Sequence, residues 1–189
     1  MLLAAGLGTR FEGGNKLLAA VQRDGTRGPV AKLAAERLVG APVIDAVAVL
    51  GHEAERVAAA LDPVAIETVQ NPDYEAGQAT SLQRGVAWAR SRDADGVLFE
   101  LGDMPWVAPS TYRALVDNWR VADAGIVVPT FDGRRGNPVV FGARHFDALA
   151  AVSGDTGGRD LLEREAVKRV PVDDPGIHRD VDRRDDLSE

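Results

Sequence analysis

Met1-Leu2-Leu3-Ala4-Ala5-Gly6-Leu7-Gly8-Thr9-Arg10 opens the chain. Residues 1–4 read as a short apolar strand, and the glycine-bearing stretch behind them reads as a loop. It continues through Phe11-Glu12-Gly13-Gly14-Asn15-Lys16. Small residues let the backbone approach a ligand closely, and successive free N–H groups in such a turn form a concavity for anions. Arg10 and Lys16 add mobile positive charge. A nucleoside triphosphate, with several negative charges close together, suits that cradle; a glycine-rich surface turn is the competing reading of the same residues. Neither common phosphate motif is present. G-x-G-x-x-G finds Gly6 and Gly8 but Phe11 at the third glycine, and the Walker pattern fails because Gly14 follows Gly13 and Leu17 follows Lys16.

Outward from this loop, helix-like and strand-like stretches alternate. Helices are predicted over 30–39, 53–61, 80–90, 109–120, 146–152 and 159–165, and strands over 43–50, 65–69, 97–101, 125–128, 139–141 and 167–172. In the third of these helices Leu82, Val86 and Ala89 recur at helical spacing, and Tyr112, Leu115, Val116 and Trp119 do the same in the fourth. Pro109 suits a first helical turn, where its missing N–H costs nothing. Such alternation with nearly continuous apolar strands predicts an α/β fold, a mostly parallel sheet covered by helices on both faces. Ligands in such sheets bind at the carboxyl ends of the strands, so the loops after strands carry the chemistry. With 189 residues, no internal repeat and no linker, one domain over 1–189 is expected.

Composition narrows the chemistry. Without cysteine, disulfides, thiolate zinc sites and cysteine nucleophiles are excluded, and any metal must be held mainly by oxygen. A net charge of -7 argues against a nucleic-acid partner, which would want a basic face. No apolar stretch is long enough to span a bilayer and residues 1–6 carry no basic leader, so no membrane partner and a cytoplasmic location are expected. His52, His145 and His178 are too scattered for a zinc motif, and no G-x-S-x-G elbow occurs.

Carboxylates supply the oxygen. Asp103, in Glu100-Leu101-Gly102-Asp103-Met104-Pro105, stands just past a buried strand, where it can offer a ligand to Mg²⁺. An Asx-turn or a helix cap suits the same residue equally well. Asp180-Val181-Asp182 sets two carboxylates on one face of an extended segment, although Asp173, Asp174, Asp185 and Asp186 make a solvated acidic tail an equal reading. Glu100 is a charge in an apolar strand, costly unless paired, and its odd separation from Asp103 leaves it outside the ligand set. Asn71, Gly77, Thr80 and Ser81 form a strand exit and helix entry whose amides and hydroxyls suit either a base or a helix cap. Two loops, 133–138 and 154–159, pair glycine with arginine and resemble anion sites.

Taken in order, these motifs resemble the MobA-like nucleotidyltransferases, and within them the molybdenum cofactor cytidylyltransferases. The likeness runs through Leu3-Ala4-Ala5-Gly6 with Arg10 and Lys16, Asn71-Pro72 with Gly77 and Ser81-Leu82, Leu101 to Pro105, Gly133 to Pro138, Gly154-Asp155 with Gly157 and Arg159, and Asp180-Val181-Asp182. The resemblance implies a Rossmann-like three-layer αβα fold of the nucleotide-diphospho-sugar transferase type. It further implies a CTP site at Leu3, Ala4, Ala5, Gly6, Gly8, Arg10, Lys16, Asn71, Gly77, Ser81 and Asp103, with Arg10, Lys16 and Asp103 catalytic. Mg²⁺ would rest on Asp103 and Asp182, and the glycine-arginine loops would face a molybdopterin-type cofactor whose product passes to a molybdoenzyme. A guanylyltransferase, a sugar-phosphate pyrophosphorylase and a non-catalytic accessory protein that binds nucleotide or cofactor are the alternatives. Three departures stand out: Phe11 where methionine is common, Arg183-Arg184 for a usual Thr-Pro, and Asn137 where histidine is frequent. Family members also carry more residues before the first motif, which points to a trimmed or misassigned start at Met1.

Overall fold

The structure, a computed structural model, describes residues 1–121, 125–154 and 158–187. In chain order the first half runs β1 (Leu2–Ala4), β2 (Ala20–Arg23), β3 (Thr26–Pro29), α1 (Val30–Val39), β4 (Val47–Leu50), α2 (Ala54–Leu61), β5 (Glu67–Gln70) and α3 (Gln78–Arg90). The second half runs β6 (Gly96–Leu101), α4 (Pro109–Val121), β7 (Ile126–Phe131), β8 (Arg134–Arg135), β9 (Val139–Gly142), α5 (Phe146–Ala150), α6 (Arg159–Arg164) and β10 (Val167–Pro171).

The main sheet has the order β10-β7-β9-β6-β1-β4-β5, with β8 hooked onto β7. Strand β1 pairs in parallel with β4 and β6, β4 with β5, and β7 with β10. Strand β9 runs antiparallel between β6 and β7, so a single reversed strand interrupts an otherwise parallel path. The mostly parallel α/β reading therefore holds, and its Rossmann-like form follows from the layers. Val47 and Val49 turn to one face of β4 while Ala48 and Leu50 turn to the other, as a period of two demands. On one face lie Leu38 of α1, Leu61 of α2 and Leu115 of α4; on the other lie Val86 of α3 and Leu149 of α5, with Leu162 of α6 packed against them.

Helix α4 begins at Pro109 as expected, and a remote residue caps it. The buried Asp174 carboxylate accepts from Ala108 N at 2.8 Å and Thr111 Oγ1 at 2.6 Å. The strand expected over 43–50 is confined to its last four residues, and Ile44 is fully exposed. The hairpin of β2 and β3 lies outside the expected alternation. Its Asp24-Gly25 turn has φ of 50° and 77°, the two positive values that a tight hairpin asks for. The hairpin matters to function because Val21 of β2 joins Phe11, Val30, Leu33 and Val181 in a small separate core. That cluster fastens the first loop and the Asp180–Asp182 segment to the same support.

Candidate active site

A cavity of about 390 Å³ opens at the carboxyl ends of β1 and β6. Eleven residues expected at the site line it: Leu3, Ala4, Ala5, Gly6, Gly8, Arg10 and Lys16 from the first strand and loop, Gly77 and Ser81 at the entry of α3, and Asp103 and Asp182. Asn71 does not line it. Its amide donates to Thr80 Oγ1 at 2.9 Å and Ser81 Oγ at 3.0 Å while its carbonyl accepts from Asp73 N, so this buried side chain shapes the helix entry from behind.

Local chemistry explains how each charge arrives. Asn15 accepts from Leu17 N at 3.0 Å and starts the short 3-10 turn Lys16–Leu18, which directs Lys16. Gly102 follows β6 so closely against β1 that a Cβ there would lie 3.0 Å from Leu3 O, and its N–H donates to that carbonyl at 2.9 Å. A side chain at 102 would crowd Leu3 O and Ala4 and oblige the Asp103 turn or β1 to shift. Val181, fully buried, donates to Asp103 O at 2.9 Å, and the flanking Asp180 and Asp182 are thereby brought beside Asp103. Asp186 accepts from the Asp182 and Arg183 N–H groups at 2.9 and 2.6 Å and closes the following turn.

The charges meet in the cavity. Lys16 Nζ stands 2.7 Å from Asp103 Oδ2 and 2.9 Å from Asp182 Oδ1, and Arg10 reaches Asp182 Oδ2 at 2.5 Å. Oxygens of Asp103, Asp180 and Asp182 lie within 4.8 Å of one another. Asp103 Oδ1 is buried with no hydrogen-bond partner, which suits a hard cation held by oxygen. Burial opposes the charge on Lys16, but Asp103 and Asp182 outweigh it and raise the pKa above the usual lysine value. Burial, then Asp103 and Asp182, push the Asp180 carboxyl upward, the mark of three acids sharing one place. Asp180 was paired with Asp182 by spacing but not carried into the expected ligand set; the structure brings its carboxylate beside the other two.

Residues 1–170 match the description MobA-like NTP transferase domain. The chain belongs to the MobA-like NTP transferase family. Rv0371c from Mycobacterium tuberculosis H37Rv is similar in structure, with a TM-score of 0.82 and 32% identity over 98% of this chain and 92% of that one. Its complex with manganese gives a TM-score of 0.78 at 29% identity, with the same coverage. Among curated relatives, nicotine blue oxidoreductase of Paenarthrobacter nicotinovorans is 31% identical over 96% of this chain and 90% of that one. Phosphoenolpyruvate guanylyltransferase of Conexibacter woesei is 33% identical over 94% and 82%. The chain spans less than half of another, purine catabolism protein PucB of Bacillus subtilis, with 34% identity over 48% of this chain and 43% of that one. Relatives this similar carry names of different activities, so likeness at this level establishes the family and leaves the substrate to the site.

Several features of this MobA-like transferase escaped sequence reading. Tyr74 and Glu75 also line the cavity, beside Gln78 of the helix-entry stretch, and the aromatic ring three residues past Asn71 was their available signal. Arg184, one of the departures from the family pattern, lies over Gly13 and donates to Glu12 O at 2.8 Å, clasping the first loop. A Cβ at Gly13, where φ is 95°, would meet that guanidinium at 2.3 Å. Loop residues Arg135, Gly136, Asn137, Gly158 and Arg159 line a second cavity of about 240 Å³ that shares Leu3, Gln78 and Leu101 with the first. Asp155, Thr156 and Gly157 of the other loop lie outside the described residues. Among the described residues no helix of this family member is long and apolar enough to cross a membrane.

Glu100 of the transferase points into the core with no exposure. Burial raises its carboxyl from 4.5 to about 8, against the opposing pull of the Tyr112 hydroxyl. It thus favours its protonated form at neutral pH, in the strand behind the site. A folded state that keeps its proton while the unfolded chain has lost it becomes less stable as pH rises between those two values. Glu100→Gln should therefore gain stability relative to wild type from about pH 4.5 to about 8, by about 4 kcal/mol at the top of the range. Urea denaturation across that range measures the margin, and a margin independent of pH would refute the assignment.

Proposed function

We propose that the protein is a Mg²⁺-dependent nucleotidyltransferase that moves CMP from CTP to a molybdopterin-type molybdenum cofactor and releases pyrophosphate. The observation that carries this reading is the convergence of Lys16, Asp103 and Asp182 in one cavity beside the Leu3–Gly8 strand exit. An oxygen of the acceptor's phosphate forms a bond to the α-phosphorus of CTP, the bond from that phosphorus to the bridging oxygen breaks, and pyrophosphate leaves with the electron pair. A phosphate nucleophile is already ionised at neutral pH, so no general base is needed. Lys16 and Arg10 neutralise the triphosphate, the loop N–H groups orient it, and catalysis is alignment plus charge compensation. Asp103 and Asp182, with Asp180 beside them, would hold Mg²⁺, which supplies charge neutralisation on the phosphates. The second cavity, with Arg135 and Arg159 on its wall, is the acceptor's place in this reading. One domain over 1–189, a cytoplasmic setting and a molybdoenzyme that takes the product complete it.

A guanylyl reading is favoured by the relative named phosphoenolpyruvate guanylyltransferase. Thermal shifts with CTP, GTP, UTP and ATP in Mg²⁺ separate the two. Ligand at a hundredfold its Kd adds about 2.7 kcal/mol, a rise of about 5 to 10 °C for a chain of this size. CTP should give the largest rise, and GTP outranking it would select the guanylyl reading. Labelled CTP with molybdenum cofactor should then release pyrophosphate. Tight cofactor binding without turnover would instead favour an accessory role.

A further inference from the structure

We infer that Lys16 is the resident cation of the carboxylate cluster, holding Asp103 and Asp182 until nucleotide phosphates draw it away, so that metal and nucleotide each make room for the other. The second half rests on the proposed nucleotide reading; the first does not. The ammonium stands between two carboxylate oxygens, at 2.7 and 2.9 Å. A divalent ion held by these carboxylates, at about 2.1 Å from its oxygens, would stand close enough to the ammonium for the two cations to repel each other. A lone metal ion must therefore displace Lys16 or bind against its charge.

Lys16 has somewhere to go. Its stem runs past Gly8, whose position for a Cβ lies 3.4 Å from Lys16 Cγ, so the side chain borders the glycine loop on one flank and the acids on the other. Arg10, three-quarters exposed, is tied to Asp182 in the same way and is freer to leave. Phosphates entering the loop offer both cations a better partner, and their departure leaves three neighbouring carboxylates facing each other, the arrangement that most favours a divalent ion. Linkage then requires reciprocity: whatever nucleotide does for metal affinity, metal does for nucleotide affinity.

Mn²⁺ binding to the full chain, read by electron paramagnetic resonance without nucleotide, tests the resident cation. Lys16→Met and Lys16→Gln should both bind Mn²⁺ about tenfold more tightly than wild type, the fold-change left when repulsion between neighbouring cations is screened as in bulk water. Two variants are used because glutamine keeps a hydrogen bond to the carboxylates if methionine disturbs the fold. Unchanged or weaker Mn²⁺ binding in both overturns the inference. A second arm measures how far saturating Mn²⁺ tightens CTP. That factor should be larger in wild type than in Lys16→Met, and equal factors overturn the coupling, since Mn²⁺–CTP pairing in solution is common to both. If no nucleotide binds at all, the proposed function and the coupling both fall, while tighter Mn²⁺ binding still establishes the resident cation.

Discussion

Asp103→Asn should lower nucleotidyl transfer by about a thousandfold, the scale seen when a group that stabilises developing charge is removed, and leave the folded protein at least as stable as wild type. Asparagine keeps the shape and the turn but removes the charge that Lys16 pairs with and that a metal would need. Stability should not suffer, because Asp103 is one of three acids crowded within 4.8 Å, and losing one relieves repulsion between the other two and itself. Burial first, and then the charges of Asp103 and Asp182, displace the Asp180 carboxyl upward. Pyrophosphate release and a thermal melt on the same preparation decide the matter. An unfolded variant, or near-normal turnover in the soluble fraction, would remove Asp103 from the site.

Lys16→Ala should be comparably inactive, with a different signature in stability. The lysine is mostly buried and pairs with two acids, so its loss leaves Asp103 and Asp182 without a counter-ion and should cost about 1 to 2 kcal/mol. Mg²⁺ should restore most of that, since a divalent ion supplies the missing charge. The pH dependence has a definite sign. A base whose pKa is raised on folding stabilises the protein below its unfolded value of 10.5, and the contribution fades only as pH climbs through the higher folded value. Around neutrality the difference between wild type and Lys16→Ala should thus be flat in pH. A deficit that varied between pH 6 and 8 would mean that another group, and not the lysine, carries the effect.

What could be read from the chain was what local chemistry decides. The first loop was legible because small residues, glycines and two cations sit together, and the Asp103 turn was legible because it ends an apolar strand. Asp182 was harder, since acidic residues surround it; what distinguishes it is the buried Val181, whose partners Phe11, Val21 and Leu33 lie far away in sequence. Asn71 stayed open for a related reason: an amide that suits either a base or a helix cap finds Thr80 and Ser81 only once α3 has packed. Glu100 was left unassigned because Tyr112 meets it only through α4. The Asp24-Gly25 hairpin was different in kind, a strong local signal passed over because the βα alternation accounted for everything around it. Strand β9 lay beyond local reading, since its direction depends on which neighbours it joins.

The pairing of Lys16 with Asp182 joins residues 166 positions apart. Contacts of such separation carry the largest loop-closure entropy and are held back until the elements between them are in place. Helical signal in a refolding experiment can therefore recover while this junction is still open. A spectroscopic probe at the junction would report the last stage of maturation, and recovery of catalytic competence should follow the probe in time, not the helices.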